Sequence, residues 1–568
     1  MALCNLFLEE KLVYQNPIIP SLVFVQCLIN SQACDVCYRK RIKCDGQKPA
    51  CSHCVLYHSE CTFEAASRKA RGRKQKTSKT AEDLQARVES LEASLSQARQ
   101  RICELEDRDE VIAVTFDPPS AYDIQAADFN RNGPLELPPQ DEVMSAAQQY
   151  IAGFNSAIPL FNPDGLLRLI NRWYLSSDQR DYTTWAAINT VLALVHRQTP
   201  PEEATPGKST AKYTNNAQSV LTNVVMGETT LLTIQVLVGM TLLLQGVQDL
   251  KPATMLIAMA LRLAHQLGLH TRESSACLDS NVALEKCRVF WIAYILDRDI
   301  SMRTKQPPIQ REMDIDLEWP SSDPQDGAGF FIGADGISSF NFFLSRVQLA
   351  QIQGEIYGAM YSTSSRRLSS HEKLEKVAVL RYRLDDWFSR VPQQFRPEAI
   401  LSSGEVNSCR CFGVLFATHL FCRISICQVH VMESRWLQTL QDFGRDAVRD
   451  EVVSPAPAPV GWHELVNECR EYMKLFAGIG QKDPAFIWMT ACTYISAGVC
   501  LIANNMFNPY HENMEYDECL ATISFSFLDD MARQVPLDGL KRALESCEVL
   551  QRQAYAVRLR ISNQDLCH

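Results

Sequence analysis

The 568-residue chain contains no glycine-rich phosphate loop, no dinucleotide-binding glycine fingerprint and no nucleophile elbow. The patterns that seat a nucleotide on backbone N–H groups or expose an activated serine are therefore missing. An unbroken hydrophobic run is missing too. The longest uncharged stretch, Thr229 to Gln248, has the length of a bilayer span but is interrupted by Gln235, Gly239, Thr241, Gln245, Gly246 and Gln248. A buried core helix is expected there, and no membrane partner. The first residues lack the basic start of a signal peptide and meet Glu9 and Glu10 at once. Residues 1–33 stay an unassigned N-terminal segment, its apolar part broken by Pro17, Pro20 and Gln26. Fifteen of the 21 cysteines follow no repeated spacing, which speaks against a disulfide framework and for buried thiols of a reducing, intracellular compartment.

Positive charge is in deficit overall, with a net charge of −10, but the deficit is uneven. Residues 34–79 hold 12 Lys or Arg against 4 Asp or Glu, a net of +8, which leaves −18 on the rest. A small basic head on a large acidic body implies a localised anionic partner. The length calls for several modules, and 46% hydrophobic against 21% charged residues is the balance of a folded protein.

The remaining six cysteines, Cys34, Cys37, Cys44, Cys51, Cys54 and Cys61, repeat one half-motif, Cys-x2-Cys-x6-Cys, twice across a six-residue loop. Each Cys-x2-Cys brings two thiolates to one metal at a helix start, and the third cysteine closes the site. Six sulfurs give two tetrahedral ions four ligands each only if two of them bridge. A three-disulfide module conflicts with a reducing compartment, and a single four-cysteine site leaves the duplicated x6 interval unexplained. His53 and His58 read as surface imidazoles beside a complete thiol set. Val36, Ile42, Val55, Leu56, Tyr57 and Phe63 are the only core material expected nearby, too little for a fold of its own, so folding should depend on metal.

The first x6 interval, Tyr38-Arg39-Lys40-Arg41-Ile42-Lys43, sets four cations on little more than one helical turn. Such a helix suits the major groove, where Arg and Lys meet guanine O6 and N7. Lys40 and Arg41 are the candidates for base contact, and Arg39 and Lys43 for phosphate. Residues 34–61 carry five basic and three acidic side chains, and six thiolates with two divalent ions contribute about −2 more, so that module is close to neutral. Much of the electrostatic affinity then falls to Arg68, Lys69, Arg71, Arg73, Lys74, Lys76 and Lys79 of the linker 62–80, a run equally suited to nuclear import.

From Leu84 a heptad register follows, with Val88, Leu95 and Ile102 at a and Leu84, Leu91, Ala98 and Leu105 at d. It predicts a parallel two-stranded coil over 81–107 and a homodimer, against the alternative of a single amphipathic helix. Residues 108–140, with Pro118-Pro119 and Pro138-Pro139, read as a tether. From 141 to 568 helical periodicity predominates: Leu256, Ala260, Leu263, Ala264 and Leu267 share a face ended by Gly268, and Val289, Phe290, Ala293 and Leu296 start the next. Asp297 with Arg298, and His265 with His270, read as bundle packing and not as acid–base pairs. The stretch Glu512 to Asp530 reads as a core helix hairpin, with an activation segment as the alternative.

The cysteine intervals, Asp35, the basic run, Asp45-Gly46 and Pro49 resemble the fungal binuclear zinc cluster (zinc-six-cysteine) transcription factors. Tyr38 stands where that family often has Arg. Residues 150–320 resemble the same family's middle homology regulatory domain. The matching stretches are Ile158-Pro159-Leu160-Phe161, Leu267-Gly268-Leu269-His270, Arg288-Val289-Phe290-Trp291, Leu296-Asp297-Arg298 and Asp314-Ile315-Asp316-Leu317. Lys305-Gln306-Pro307 departs from the usual Gly-Arg-Pro.

The resemblance implies two zinc ions, with Cys34 and Cys51 bridging, Cys37 and Cys44 on one ion, and Cys54 and Cys61 on the other. It implies contact of Lys40 and Arg41 with CGG-type triplets, and a nuclear, dimeric, non-enzymatic regulator of transcription. The architecture so expected is a small metal-stabilised binuclear cluster with two short helices, a parallel coiled coil, and a large all-α regulatory domain open to a coregulator or small-molecule effector. The alternative is a zinc-stabilised interaction protein that does not read DNA.

Overall fold

The computed structural model describes residues 34–63, apart from 41 and 43, and residues 135–565, apart from 177, 179, 199–209, 248, 276–277, 430–434, 450–454, 481–483 and 535–537. The expected coiled coil, all of the linker beyond residue 63 and most of the tether lie outside the described residues. The chain divides into two compact units, 1–117 and 118–568.

In the first unit each half-motif forms one short helix, α1 (Asp35–Lys40) and α2 (Ser52–Leu56).

The second unit is a helical body with two apolar cores. One gathers the helices Tyr182–Gln198, Leu231–Leu244, Lys251–Gln266 and Ser280–Thr304. The other gathers Val406–Cys427, Trp462–Gly480, Pro484–Phe507 and Met514–Gln534. Phe342–Met360 serves both: Phe343, Val347 and Ala350 face the first core, while Leu349, Ile352 and Ile356 face the second. Helical spacing of three and four residues makes these two faces of one cylinder. Charge reinforces the junction, because Arg346 reaches both Asp299 at 2.5 Å and Thr418 Oγ1 at 3.1 Å.

The uncharged stretch forms the helix Leu231–Leu244, whose residues from Thr233 onward are all buried. Val406–Cys427 and Ala485–Phe507 are long and apolar enough to cross a membrane by length and composition, and 67% of each such window is buried inside the body. The helix Lys251–Gln266 stops at Gly268, whose φ of +69° favours glycine. Glu512 to Asp530 falls mostly in one continuous helix, Met514–Gln534, and not in the expected hairpin, although Leu520, Ala521, Phe525, Leu528 and Met531 do lie in the core.

Two further features depart from the sequence reading. A two-stranded antiparallel ribbon, Phe330–Ile332 with Ser339–Asn341, interrupts the all-helical body. The last residues of the expected tether pack on the body instead: Leu135 and Leu137 join the first core, and Trp185 Nε1 donates to the Glu136 carbonyl at 3.1 Å.

Candidate metal centre and nucleic-acid interface

Cys34 enters α1 and Cys51 caps α2, so the i, i+3 spacing turns Cys37 and Cys54 toward the same interior. All four sulfurs are buried and lie within 4.8 Å of one another. Cys34 Sγ is 3.7 Å from the sulfurs of both Cys51 and Cys54, and Cys37 Sγ is 3.7 Å from that of Cys51. A disulfide bond measures about 2.05 Å, so these are separate thiols. Two sulfurs bound about 2.3 Å from a tetrahedral zinc stand roughly 3.8 Å apart, the spacing found here. The donor set therefore fits that metal.

The outer two cysteines complete the arrangement with an internal two-fold likeness. Cys44 Sγ accepts from the Cys34 N–H at 3.5 Å, and Cys61 Sγ accepts from the Cys51 N–H at 3.3 Å. The Cys37 thiol interacts with those of Cys34, Cys51 and Cys44, whereas the Cys61 thiol interacts with those of Cys34, Cys51 and Cys54. Cys34 and Cys51 are common to both groups. Their thiols are also the ones held low, by the N–H groups of Cys37 and Cys54 respectively, while desolvation pushes Cys54 up to about 12. The N–H groups at the two helix starts thus favour the thiolate form at the two shared positions.

Among the described residues the module has little apolar packing beyond the cysteines. Val36, Ile42 and Phe63 pack partly on the cysteines, but Val55, Leu56 and Tyr57, expected as core material, are 59%, 72% and 63% exposed. The reason is geometric: the five residues of α2 turn only Cys54 inward, and the apolar positions after it fall on the outer side. His53 is half-buried with its ring 4.6 Å from that of Tyr57, and His58 is exposed. Neither belongs to the thiol group.

Of the cationic run, Arg39 and Lys40 are exposed in the last turn of α1. Arg41, Lys43 and the linker cations Arg68, Lys69, Arg71, Arg73 and Lys74 lie outside the described residues, as do Leu84, Val88, Leu91, Leu95, Ile102 and Leu105. Four further residues, each directly after a cysteine, form contacts whose meaning the sequence reading did not draw out. Thr62 Oγ1 donates to Asp35 Oδ2 at 3.0 Å, and the Ser52 N–H donates to the Asp45 carboxylate at 3.3 Å.

In the body the Asp297–Arg298 pair is structural. Asp297 accepts from the N–H groups of Ile309 and Gln310, at 2.9 and 3.0 Å, and Arg298 donates to the Gln310 carbonyl and to Glu312, both at 2.8 Å. The pair pins the turn that follows Lys305, a left-handed residue at φ +56°. His265 joins the same turn through Gln310 Oε1 at 2.5 Å, with its ring 4.9 Å from that of His270.

Residues 32–70 match the fungal Zn(2)-Cys(6) binuclear cluster domain, and residues 147–389 match the fungal specific transcription factor domain. The chain belongs to the fungal zinc-cluster transcription factor family. A Zn(2)-Cys(6) cluster binds two zinc ions, and the thiol group described above has the donors and spacing to hold them.

Among relatives, an "ABC-transporter-regulating transcription factor" of Aspergillus fumigatus is 32% identical over 74% of this chain and 47% of its own length. A protein of the same description from Aspergillus oryzae is 31% identical over the same shares. The "Fusaridione A cluster transcription factor fsdR" of Fusarium heterosporum is 26% identical over 46% of this chain and 49% of its own. The chain thus spans about half the length of the curated relatives it matches.

Proposed function

We propose that this protein is a nuclear, sequence-specific regulator of transcription that binds double-stranded DNA as a homodimer, reads CGG-type triplets and depends on zinc. The observation that carries the reading is the set of buried thiols at zinc spacing beneath a helix whose outer end shows Arg39 and Lys40. A helix fixed at its base by metal presents its cations in one orientation, which groove recognition needs and a mobile basic tail lacks. In this reading Cys34 and Cys51 bridge, Cys37 and Cys44 complete one ion, and Cys54 and Cys61 the other. Lys40 and Arg41 contact bases. Arg39, Lys43 and the cations from Arg68 to Lys74 neutralise phosphates, and Leu84 to Leu105 form the dimer seam.

The helical body acts as a control domain for a coregulator or small-molecule effector. A cleft of about 290 Å³, lined by Met514, Glu518, Tyr555 and Arg558 among others, is one candidate opening for the latter and comes close to the size of small-ligand sites. The Aspergillus relatives' description makes transporter-gene promoters the first place to look for targets.

A random-oligonucleotide selection with the full chain tests the reading. Enrichment of paired triplets is expected. No sequence preference would favour the second reading, a zinc-stabilised interaction module, for which the exposed Val55, Leu56 and Tyr57 speak.

A further inference from the structure

The contacts after the cysteines obey the same internal two-fold as the sulfurs. Asp35 follows Cys34 and Thr62 follows Cys61; these two residues exchange a hydroxyl–carboxylate bond of 3.0 Å and a backbone bond, Asp35 N–H to Thr62 O, of 2.9 Å. Ser52 follows Cys51 and Asp45 follows Cys44; here the Ser52 N–H and hydroxyl both donate to the Asp45 carboxylate. Each contact ties the chain next to a shared cysteine to the chain next to the outer cysteine of the opposite half-motif. The sulfurs of Cys34 and Cys61 belong to one group of four, and those of Cys51 and Cys44 to the other. Every group of four is therefore closed by one carboxylate–hydroxyl latch. The two latches differ in setting: Asp35 and Thr62 are half-buried, whereas Asp45 and Ser52 are exposed.

We propose that Asp35 and Asp45 are positioning residues of the metal centre, each latching the chain over one ion, and that their unequal exposure makes the two ions unequally labile. The inference rests on the two-zinc reading above. When a thiolate lets go of its ion, a latched chain holds it within reach, so recapture competes with escape. A hydrogen bond to a carboxylate is stronger where water competes less. The ion of Cys54 and Cys61, closed by Asp35–Thr62, should leave last, and the ion of Cys37 and Cys44 first.

The test follows zinc transfer from the full chain to a chromophoric chelator in excess. Wild type is expected to start with two ions and release them in two phases of equal amplitude. Thr62→Val should speed the slow phase roughly tenfold, while Thr62→Ser, which keeps the hydroxyl, restores it. Ser52→Ala should speed the fast phase by a smaller factor and leave the slow one unchanged. If Thr62→Val is recovered with one ion missing and Thr62→Ser with both, the latch is equally supported. Wild type with two ions and both phases unmoved by Thr62→Val and Ser52→Ala would overturn the latches alone. Wild type without two ions would overturn the zinc reading beneath them.

Discussion

Arg470 grips Asp517 through two nitrogens, Nε at 2.6 Å and Nη2 at 2.8 Å, and the Asp517 side chain is wholly buried in the first turn of Met514–Gln534. The carboxylate suits that position, since the unpaired N–H groups of a helix start favour an anion. Removing either partner strands a buried charge, which typically costs about 3 to 5 kcal/mol. Arg470→Ala should therefore lower the urea midpoint of the body far more than the double change Arg470→Met with Asp517→Leu. Comparable midpoints for the two variants would show that the pair is not the source of the loss.

The pH dependence of stability should carry a signature of His419. Its ring is completely buried between Trp387 and Phe388, with Nδ1 3.1 Å from Tyr472 Oη, and burial first, then the Arg423 charge, hold its pKa down to about 3. In the unfolded chain an imidazole takes up its proton near pH 6.5. Below that pH the unfolded state binds a proton that the fold refuses, so the contribution is complete above about pH 6.5 and declines as pH falls toward 3. Urea titrations at pH 6.5 and 5 should differ by about 1 to 2 kcal/mol, and His419→Gln should remove most of that difference.

Close packing in the first core can be read at Gly239 of Leu231–Leu244. A Cβ there would stand 2.6 Å from Thr190 Cγ2, inside van der Waals contact. Gly239→Ala is expected to destabilise the body by about 1 to 3 kcal/mol despite the better helix propensity of alanine. Adding Thr190→Ser, which deletes the offending methyl, should recover most of the loss in thermal unfolding. Gly239→Ala without cost would contradict the packing.

The two faces of the cluster should separate in DNA binding. Lys40→Ala is expected to cost about 1 to 3 kcal/mol on the selected site and to relax preference at one base position. Neutralising Arg68, Lys69 and Arg71 should weaken binding to all duplexes alike and flatten the salt slope. Tyr57→Ala on the outer side of α2 should leave the affinity unchanged; a loss as large as that of Lys40→Ala would mean that α2 also faces the DNA.

What could be read in advance follows from how local each signal is. The duplicated Cys-x2-Cys-x6-Cys interval is a covalent ruler, so it foretold one metal cluster and two short helices. Gly268 marked a helix stop because a left-handed turn excludes most side chains. The misplacement of Val55, Leu56 and Tyr57 arose from assigning apolar residues to a core by type, although a five-residue helix has one inward face and Cys54 occupies it. The ribbon Phe330–Ile332 with Ser339–Asn341 has three residues per strand, too few for an alternating pattern to stand out. The latches were invisible for another reason: Asp35 and Thr62 are 27 residues apart and meet only once the cysteines have gathered. The heptads from Leu84 to Leu105 lie outside the described residues, and the dimer remains a proposal from the sequence.

The central claim is that metal held by these six thiols aims the cationic helix at DNA. Zinc content and binding to the selected duplex, measured on the same full-length sample before and after excess chelator, test it most directly. Two zinc ions per chain, with binding lost on chelation and regained on adding zinc back, is the expected result. Binding that survives complete removal of the metal would contradict it.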